Sequence, residues 1–125
     1  MMFNLNNPEV RSAIIDLSQN LGKIVSIIPF PVQNGEKIDD DYSFTDKDII
    51  GEIDESITQE AIDNYITSRH WFMIRWERDR RLAVTDVWAM SDHTMTDKQI
   101  AYRQALRDIT TDYSSPDEVV WPVKP

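Results

Sequence analysis

The sequence predicts a mainly helical α+β fold: an N-terminal helix and a short strand or hairpin, then a C-terminal αα-hairpin with an extended tail rich in Pro and Trp. Three observations predict it. Apolar residues recur at helical spacing in three segments, two four-residue sequences have the form of capping boxes, and one short run is rich in β-branched residues. We expect two segments, residues 1–55 with the first helix and the β and acidic stretch, and residues 56–125 with the hairpin and tail.

The composition favours a folded, soluble protein. Apolar residues make up 41% of the chain, and no apolar run approaches the roughly 18 residues that cross a bilayer. The N-terminus lacks the basic and apolar regions of a secretory signal. The chain has no Cys, so the sequence offers neither a disulfide nor a thiolate metal site. The net charge of −9, concentrated in residues 1–70, argues against binding to nucleic acid, which depends on clustered Lys and Arg.

The first helix is predicted from residue 8 to residue 21. Asn7 can accept hydrogen bonds from the free backbone N–H groups, and Pro8 suits the first helical position. Apolar residues follow at helical spacing, and Gly22 supplies the stop.

The next stretch predicts the β structure. Residues 23–30 are rich in apolar, β-branched side chains and predict a strand, which the prolines at its end terminate. A turn signal follows at residues 33–35. The acidic segment 36–55 then supplies an edge strand and loop that could pair with 23–30 as a hairpin. Within it, Asp39–Asp41 could attract a cation loosely, but a solvated acidic loop is the favoured interpretation.

One long helix is predicted over residues 57–84, since neither Pro nor Gly interrupts them. A break near Ser68–His70 is the alternative. Ser56 and Gln59 have the form of a capping box, which places the start of the helix. The apolar positions predict one continuous buried face. They are Ile62, Tyr65, Ile66, Phe72, Met73, Trp76, Ala83 and Val84.

A second capping box, Thr96-Asp97-Lys98-Gln99, predicts the start of the last helix. Its expected buried face consists of Tyr102, Ala105, Leu106 and Ile109, and its expected end lies near Thr110. The connection over residues 85–95 is short enough to fold this helix back on the long one as an αα-hairpin.

The tail from Tyr113 onward is predicted to lie extended across the hairpin. Its prolines, Pro116, Pro122 and Pro125, cannot be helical at those points. Val119 and Trp121 are the expected anchors.

The sequence matches none of the usual motifs for catalysis or for metal binding, so we expect no enzyme, no cofactor and no metal site. Three glycines cannot form a phosphate-binding loop, and no Ser stands in a nucleophile elbow. His70 and His93 lie in separate segments without zinc spacing. Asp46–Gly51 begins like a calcium loop, but Ile50 and Ile57 occupy positions that require oxygen ligands.

Two groups of arginines allow different interpretations. The first group lies at the end of the long helix and consists of Arg75, Arg78, Arg80 and Arg81. It is either a solvated helix end, where cations favour the helix dipole, or an interface, since Arg is enriched in binding hot spots. Arg103 and Arg107 share one flank of the last helix and need carboxylates unless both are solvated. The candidates are Asp86, Asp92 and Asp108. Pairing within the chain that locks the corner is favoured over substrate binding.

Four short motifs follow one another in the C-terminal part of the chain. They are Arg78-x-x-Arg81-Leu82-x-x-Thr85-Asp86, then Trp88 and Asp92, then Tyr102-Arg103-Gln104-Ala105-Leu106-Arg107-Asp108-Ile109, and finally Val120-Trp121-Pro122-x-Lys124-Pro125. In this order they resemble the C-terminal domain of the phage tail assembly chaperone family, and also the C-terminus of phage tail fibre assembly proteins. One residue separates Asp86 from Trp88, where the family usually has Asp directly followed by Trp.

The resemblance implies a non-enzymatic phage protein that binds an unassembled tail or tail-fibre protein in the cytoplasm of the infected bacterial host. The alternative is a structural protein of the virion tail, baseplate or fibre tip that uses the same hairpin for docking. We expect the partner-binding residues to be Arg78, Arg81, Trp88, Tyr102, Arg103, Arg107, Trp121 and Pro122. Residues 1–55 show no such resemblance, and the sequence does not give the client or the oligomeric state.

Overall fold

The computed structural model describes residues 3–28 and 42–125. The chain forms two compact units, Met1–Ile66 and Thr67–Pro125. The mainly helical α+β class is confirmed. The division into segments 1–55 and 56–125 stays a prediction.

Helix α1 runs over Pro8–Asn20: it begins at the predicted residue and ends one residue before the predicted end at residue 21. The Asn7 side chain accepts a hydrogen bond from the backbone N–H of Glu9 at 2.9 Å. Gly22 follows the helix with a φ of +73°, a left-handed conformation that glycine adopts without a steric penalty. The local signals therefore fix both ends of α1.

A small antiparallel sheet pairs β1, Ser26–Ile27, with β2, Ile49–Ile50. The first strand falls inside the predicted run 23–30 but is shorter, and its partner lies in the acidic segment, as predicted. Residues 29–41, with the predicted turn and Asp39–Asp41, lie outside the described residues. Directly after β2, Gly51 has a φ of +102°, and a Cβ there would lie 2.6 Å from the carbonyl oxygen of Ile24.

The core of the first unit gathers side chains from α1, β1, β2 and the start of the long helix. Its buried members are Phe3, Leu5, Val10, Ala13, Ile14, Val25, Ile57 and Ile62. Asp48 is also buried, although the sequence suggested a failed calcium loop at this point. Its carboxylate accepts hydrogen bonds from the Tyr42 hydroxyl at 2.5 Å and from the Thr45 N–H at 2.7 Å, so it holds the turn that leads into β2.

The long helix α2 runs without interruption over Gln59–Val84, so the alternative of a break near Ser68–His70 is wrong. Its cap differs from the prediction. Ser56 donates through its N–H and its hydroxyl to Asp54, while the Thr58 hydroxyl accepts from the N–H of Ala61 at 3.1 Å. Thr58 is therefore the N-cap residue of α2, because Ser56 is instead hydrogen-bonded to the nearby carboxylate of Asp54.

The second unit continues with a 3₁₀ turn, Asp86–Ala89, and helix α3, Asp97–Arg107. The predicted capping box is present: Thr96 Oγ1 accepts from the Gln99 N–H at 3.2 Å, and Gln99 Oε1 accepts from the Thr96 N–H at 3.0 Å. The predicted face of α3 is buried at Tyr102, Leu106 and Ile109 and half-buried at Ala105. Ile109 already belongs to the separate short helix α4, Ile109–Asp112, so α3 ends earlier than predicted.

The tail is not wholly extended. Pro116 begins a 3₁₀ turn, Pro116–Glu118, which the sequence analysis excluded. A proline has no N–H to lose at the first position of a helical turn, and its fixed φ suits that position. Ser115 precedes it and accepts from the Asp117 N–H at 3.4 Å. Beyond Val119 the chain has no regular secondary structure.

Candidate protein-binding site

A buried arginine joins α3 to the C-terminal end of α2. Arg103 is 7% exposed, and its Nη1 donates to the Leu82 carbonyl at 3.1 Å and to Thr85 Oγ1 at 2.7 Å. Its Nη2 lies 3.1 Å from a carboxylate oxygen of Asp86. The Leu82 carbonyl lies in the last turn of α2 and also accepts the Thr85 N–H at 3.0 Å, and a cation is well placed at this end of the helix dipole.

The pairing of Arg103 with Asp86 confirms the prediction that the corner is locked within the chain. The Thr85 hydroxyl takes part in the same network and donates to the Leu82 carbonyl at 3.0 Å. Arg107, in contrast, is exposed and forms only a long hydrogen bond of 3.5 Å with Gln104 within the described part of the chain.

A second contact holds the tail against α2. The guanidinium of Arg81 lies 4.2 Å from the ring centroid of Trp121, a distance typical of a cation–π interaction. The Nε of Arg81 also donates to Glu77 at 2.9 Å, and Arg80 binds the same carboxylate through two hydrogen bonds of 2.9 and 2.6 Å. These hydrogen bonds lower the pKa of Glu77 from 4.5 to about 2, those from Arg80 first.

The corner contributes a third contact through aromatic rings. Trp88 lies 6.1 Å from Tyr102 between ring centroids, with the planes tilted by 58°. The ammonium of Lys124 lies 5.8 Å from the Trp88 centroid, at the outer limit for a cation–π contact. The tail of the second unit is therefore tied to α2 and to the corner by side chains that carry either a ring or a positive charge.

The predicted buried face of α2 is wrong beyond the first unit. Ile62 is buried and Ile66 half-buried, but Phe72, Met73 and Trp76 are 62%, 54% and 58% exposed. These three side chains lie on adjacent turns of one helix face. We call them the exposed α2 face. The spacing of these residues in the sequence predicted that they share one helix face. Nothing in the sequence showed that this face is exposed to solvent.

The eight predicted partner-binding residues differ in how far their side chains are exposed to solvent. Tyr102 and Arg103 are buried, and Arg107 is exposed. The other five are half-buried: Arg78, Arg81, Trp88, Trp121 and Pro122. The contacts above bring together Arg81 with Trp121 and Trp88 with Tyr102. Their role in binding a partner stays a prediction.

Among the residues described, no group of three or more His, Asp or Glu side chains is arranged to hold a metal ion. Asp39–Asp41 lie outside those residues. No helix in the described part of the chain is both long and apolar enough to cross a bilayer.

The fold and the site define a small, mainly helical α+β protein whose second unit ends in a tail held by cation and ring contacts. Residues 71–125 match the family model described as phage tail assembly chaperone protein. The match confirms the resemblance of the C-terminal part and supports a role in phage tail assembly. It covers somewhat less than half of the chain. No curated protein and no solved structure is found to match the chain.

Proposed function

We propose that this protein is a phage tail or tail-fibre assembly chaperone that binds one unassembled tail polypeptide and catalyses no reaction. The observation that carries the proposal is the family match over residues 71–125. The match takes in the end of α2, the locked corner, α3 and the tail, so the binding function belongs to the second unit. The chaperone acts in the cytoplasm of the infected host, where unassembled tail proteins accumulate.

The exposed α2 face supports this proposal, because it lies inside the matched residues. Phe72, Met73 and Trp76 are each more than half exposed. Covering what is exposed of each contributes about 1–2 kcal/mol, by the usual free energy per area of apolar surface. A client with an unpaired strand edge or an uncovered apolar subunit interface offers the complementary surface. The chaperone needs only to bind the unassembled client better than the assembled one, so that assembly releases it.

Co-expression with the tail and tail-fibre proteins of the same phage tests this function. We expect one of them to co-purify with the full-length chain, and Trp76→Gln to weaken the complex at least about tenfold, the effect of roughly 1.4 kcal/mol. Ile24→Gln is the matched control, since Ile24 is 88% exposed but lies in the first unit. If no tail or fibre protein co-purifies, the proposed function is wrong.

Mass spectrometry of purified virions separates the proposal from its alternative. A chaperone is released and is absent from the finished particle. Detection of the chain at a fixed number of copies per virion assigns it instead to the structural proteins of the tail, baseplate or fibre tip.

A further inference from the structure

Two clefts on the second unit share Tyr102 and Lys124 in their linings. The first has a volume of about 290 Å³ and is lined by Arg80, Arg81, Val84, Thr85, Tyr102 and Lys124. The second has a volume of about 360 Å³, and Tyr102 and Lys124 line it too. It adds Lys98, Ala101 and the last four residues of the chain, from Pro122. We call the two together the basic groove.

The basic groove is lined by positive charge that the described part of the chain neutralises only in part: Arg80 and Arg81 share the carboxylate of Glu77, and two lysines have no ion pair. Its lining includes four cationic side chains and no acidic one. Neither Lys98 nor Lys124 has an ion-pair partner among the described residues. Arg81 uses only its Nε for Glu77, so the Nη groups of this half-buried guanidinium are free of hydrogen bonds within that part of the chain. A desolvated or half-desolvated cation of this kind favours an anionic ligand.

The walls of the basic groove are apolar, so we expect a ligand that carries apolar groups as well as negative charge. Val84 is 55% exposed and Val123 is 91% exposed, and Pro122 and the buried Tyr102 also line the groove. A small inorganic anion would leave these surfaces in contact with water. A polypeptide segment that presents carboxylates beside apolar side chains covers both kinds of surface at once.

We propose that the basic groove binds a segment of the tail polypeptide in which Asp or Glu side chains stand next to apolar ones. The carboxylates contact the ammonium groups of Lys98 and Lys124 and the free guanidinium edge of Arg81. The apolar neighbours pack on Val84, Val123 and Pro122. This inference rests on the proposed function, because it assigns one surface and one ligand chemistry to the same client complex.

The first test reverses the charge at the two lysines that have no ion pair. Lys98→Glu/Lys124→Glu should weaken the complex with the co-purified tail protein at least about tenfold and reduce its dependence on salt. Lys47→Glu is the matched control, an exposed lysine of the first unit, and should leave affinity unchanged. The tryptophan fluorescence of each variant in urea shows whether the second unit is still folded. If the double variant binds as tightly as the unsubstituted chain, or if Lys47→Glu weakens binding equally, the groove proposal is overturned while the proposed function stands.

The second test identifies the ligand atoms. A carbodiimide joins lysine amines directly to carboxylates that touch them, and mass spectrometry of the cross-linked complex locates both ends. Bonds from Lys98 or Lys124 to Asp or Glu side chains of the tail protein support the proposal. Bonds to the C-terminal carboxylate of the tail protein, to the acidic first unit of a second copy of this chain, or to no partner at all overturn it. Absence of any complex with the unsubstituted chain refutes the proposed function and this inference together.

Discussion

Replacing Arg103 by Ala tests whether one buried cation holds α3 to the end of α2. A hydrogen bond with a charged donor contributes about 1.5–3 kcal/mol, and two acceptors of Arg103, the Leu82 carbonyl and the Thr85 hydroxyl, are neutral. The third partner, Asp86, has a side chain that is 67% exposed, so that ion pair adds at most about 1 kcal/mol. We expect the variant to lose about 3–5 kcal/mol in the free energy of unfolding of the second unit.

The same helix supplies a matched control. Arg107 lies one turn further along α3, is exposed, and has a single hydrogen bond of 3.5 Å. Arg107→Ala removes the same chemical group and should change the free energy of unfolding by no more than about 0.5 kcal/mol. Asp86→Asn isolates the exposed ion pair and should cost less than about 1 kcal/mol.

Urea denaturation followed by tryptophan fluorescence measures these differences. All four tryptophans, Trp71, Trp76, Trp88 and Trp121, lie in the second unit, so the signal originates in that unit. A loss of less than about 1 kcal/mol for Arg103→Ala, or an equal loss for Arg107→Ala, would refute the reasoning that buried hydrogen bonds hold the corner.

Two further predictions concern the backbone of the first unit and the acid sensitivity of the second. Gly51→Ala should cost about 2–5 kcal/mol, because the new Cβ meets the Ile24 carbonyl at 2.6 Å at a φ of +102°. Gly22→Ala, with φ +73° and open space, should cost only about 1–2 kcal/mol, and thermal unfolding by far-UV circular dichroism compares the two. The lowered pKa of Glu77 predicts stability that is fully present above pH 4.5 and is lost as the pH falls towards about 2. Tryptophan fluorescence in acid should show that Glu77→Gln removes this part of the pH dependence and that added salt diminishes it; an unchanged pH profile would contradict the assignment.

The ends of helices were predictable where one side chain decides them. Asn7 and Thr96 cap α1 and α3 as expected, each accepting a hydrogen bond from a backbone N–H of the first turn. At the start of α2 the same reasoning chose Ser56, and it was wrong because Asp54 accepts both of the hydrogen bonds that Ser56 donates. A capping motif therefore identifies a side chain that can cap the helix, but not the neighbouring groups that can bind that side chain instead.

The exposed α2 face shows what the spacing of apolar residues can and cannot predict. Spacing placed Phe72 and Trp76 on one face of the helix, and the structure agrees with that. It could not show which face is covered. In this part of α2 the half-buried residues include Arg78 and Arg81, whose long apolar stems pack while their charged ends find partners.

The corner was predictable in part. Two arginines on one flank of α3 required carboxylates, for which Asp86, Asp92 and Asp108 were the candidates, and the structure pairs Arg103 with Asp86. The hydrogen bonds to the Leu82 carbonyl and the Thr85 hydroxyl depend on how α3 meets α2, a long-range feature that no local pattern encodes. The basic groove was missed for the same reason, since Arg80, Lys98 and Lys124 come from separate elements.

The position of Phe72, Met73 and Trp76 in the middle of a continuous helix has a thermodynamic consequence. Their backbone is already ordered, so in the proposed complex no coil has to fold upon contact. Beyond the translational and rotational entropy that every association loses, the ordering cost at this face is then limited to side-chain rotamers, about 0.5–1.5 kcal/mol for each residue that becomes fixed. If the proposed function is right, a preformed helix face of this kind lowers the ordering cost of binding, so a modest contact area is enough for a complex that can still dissociate.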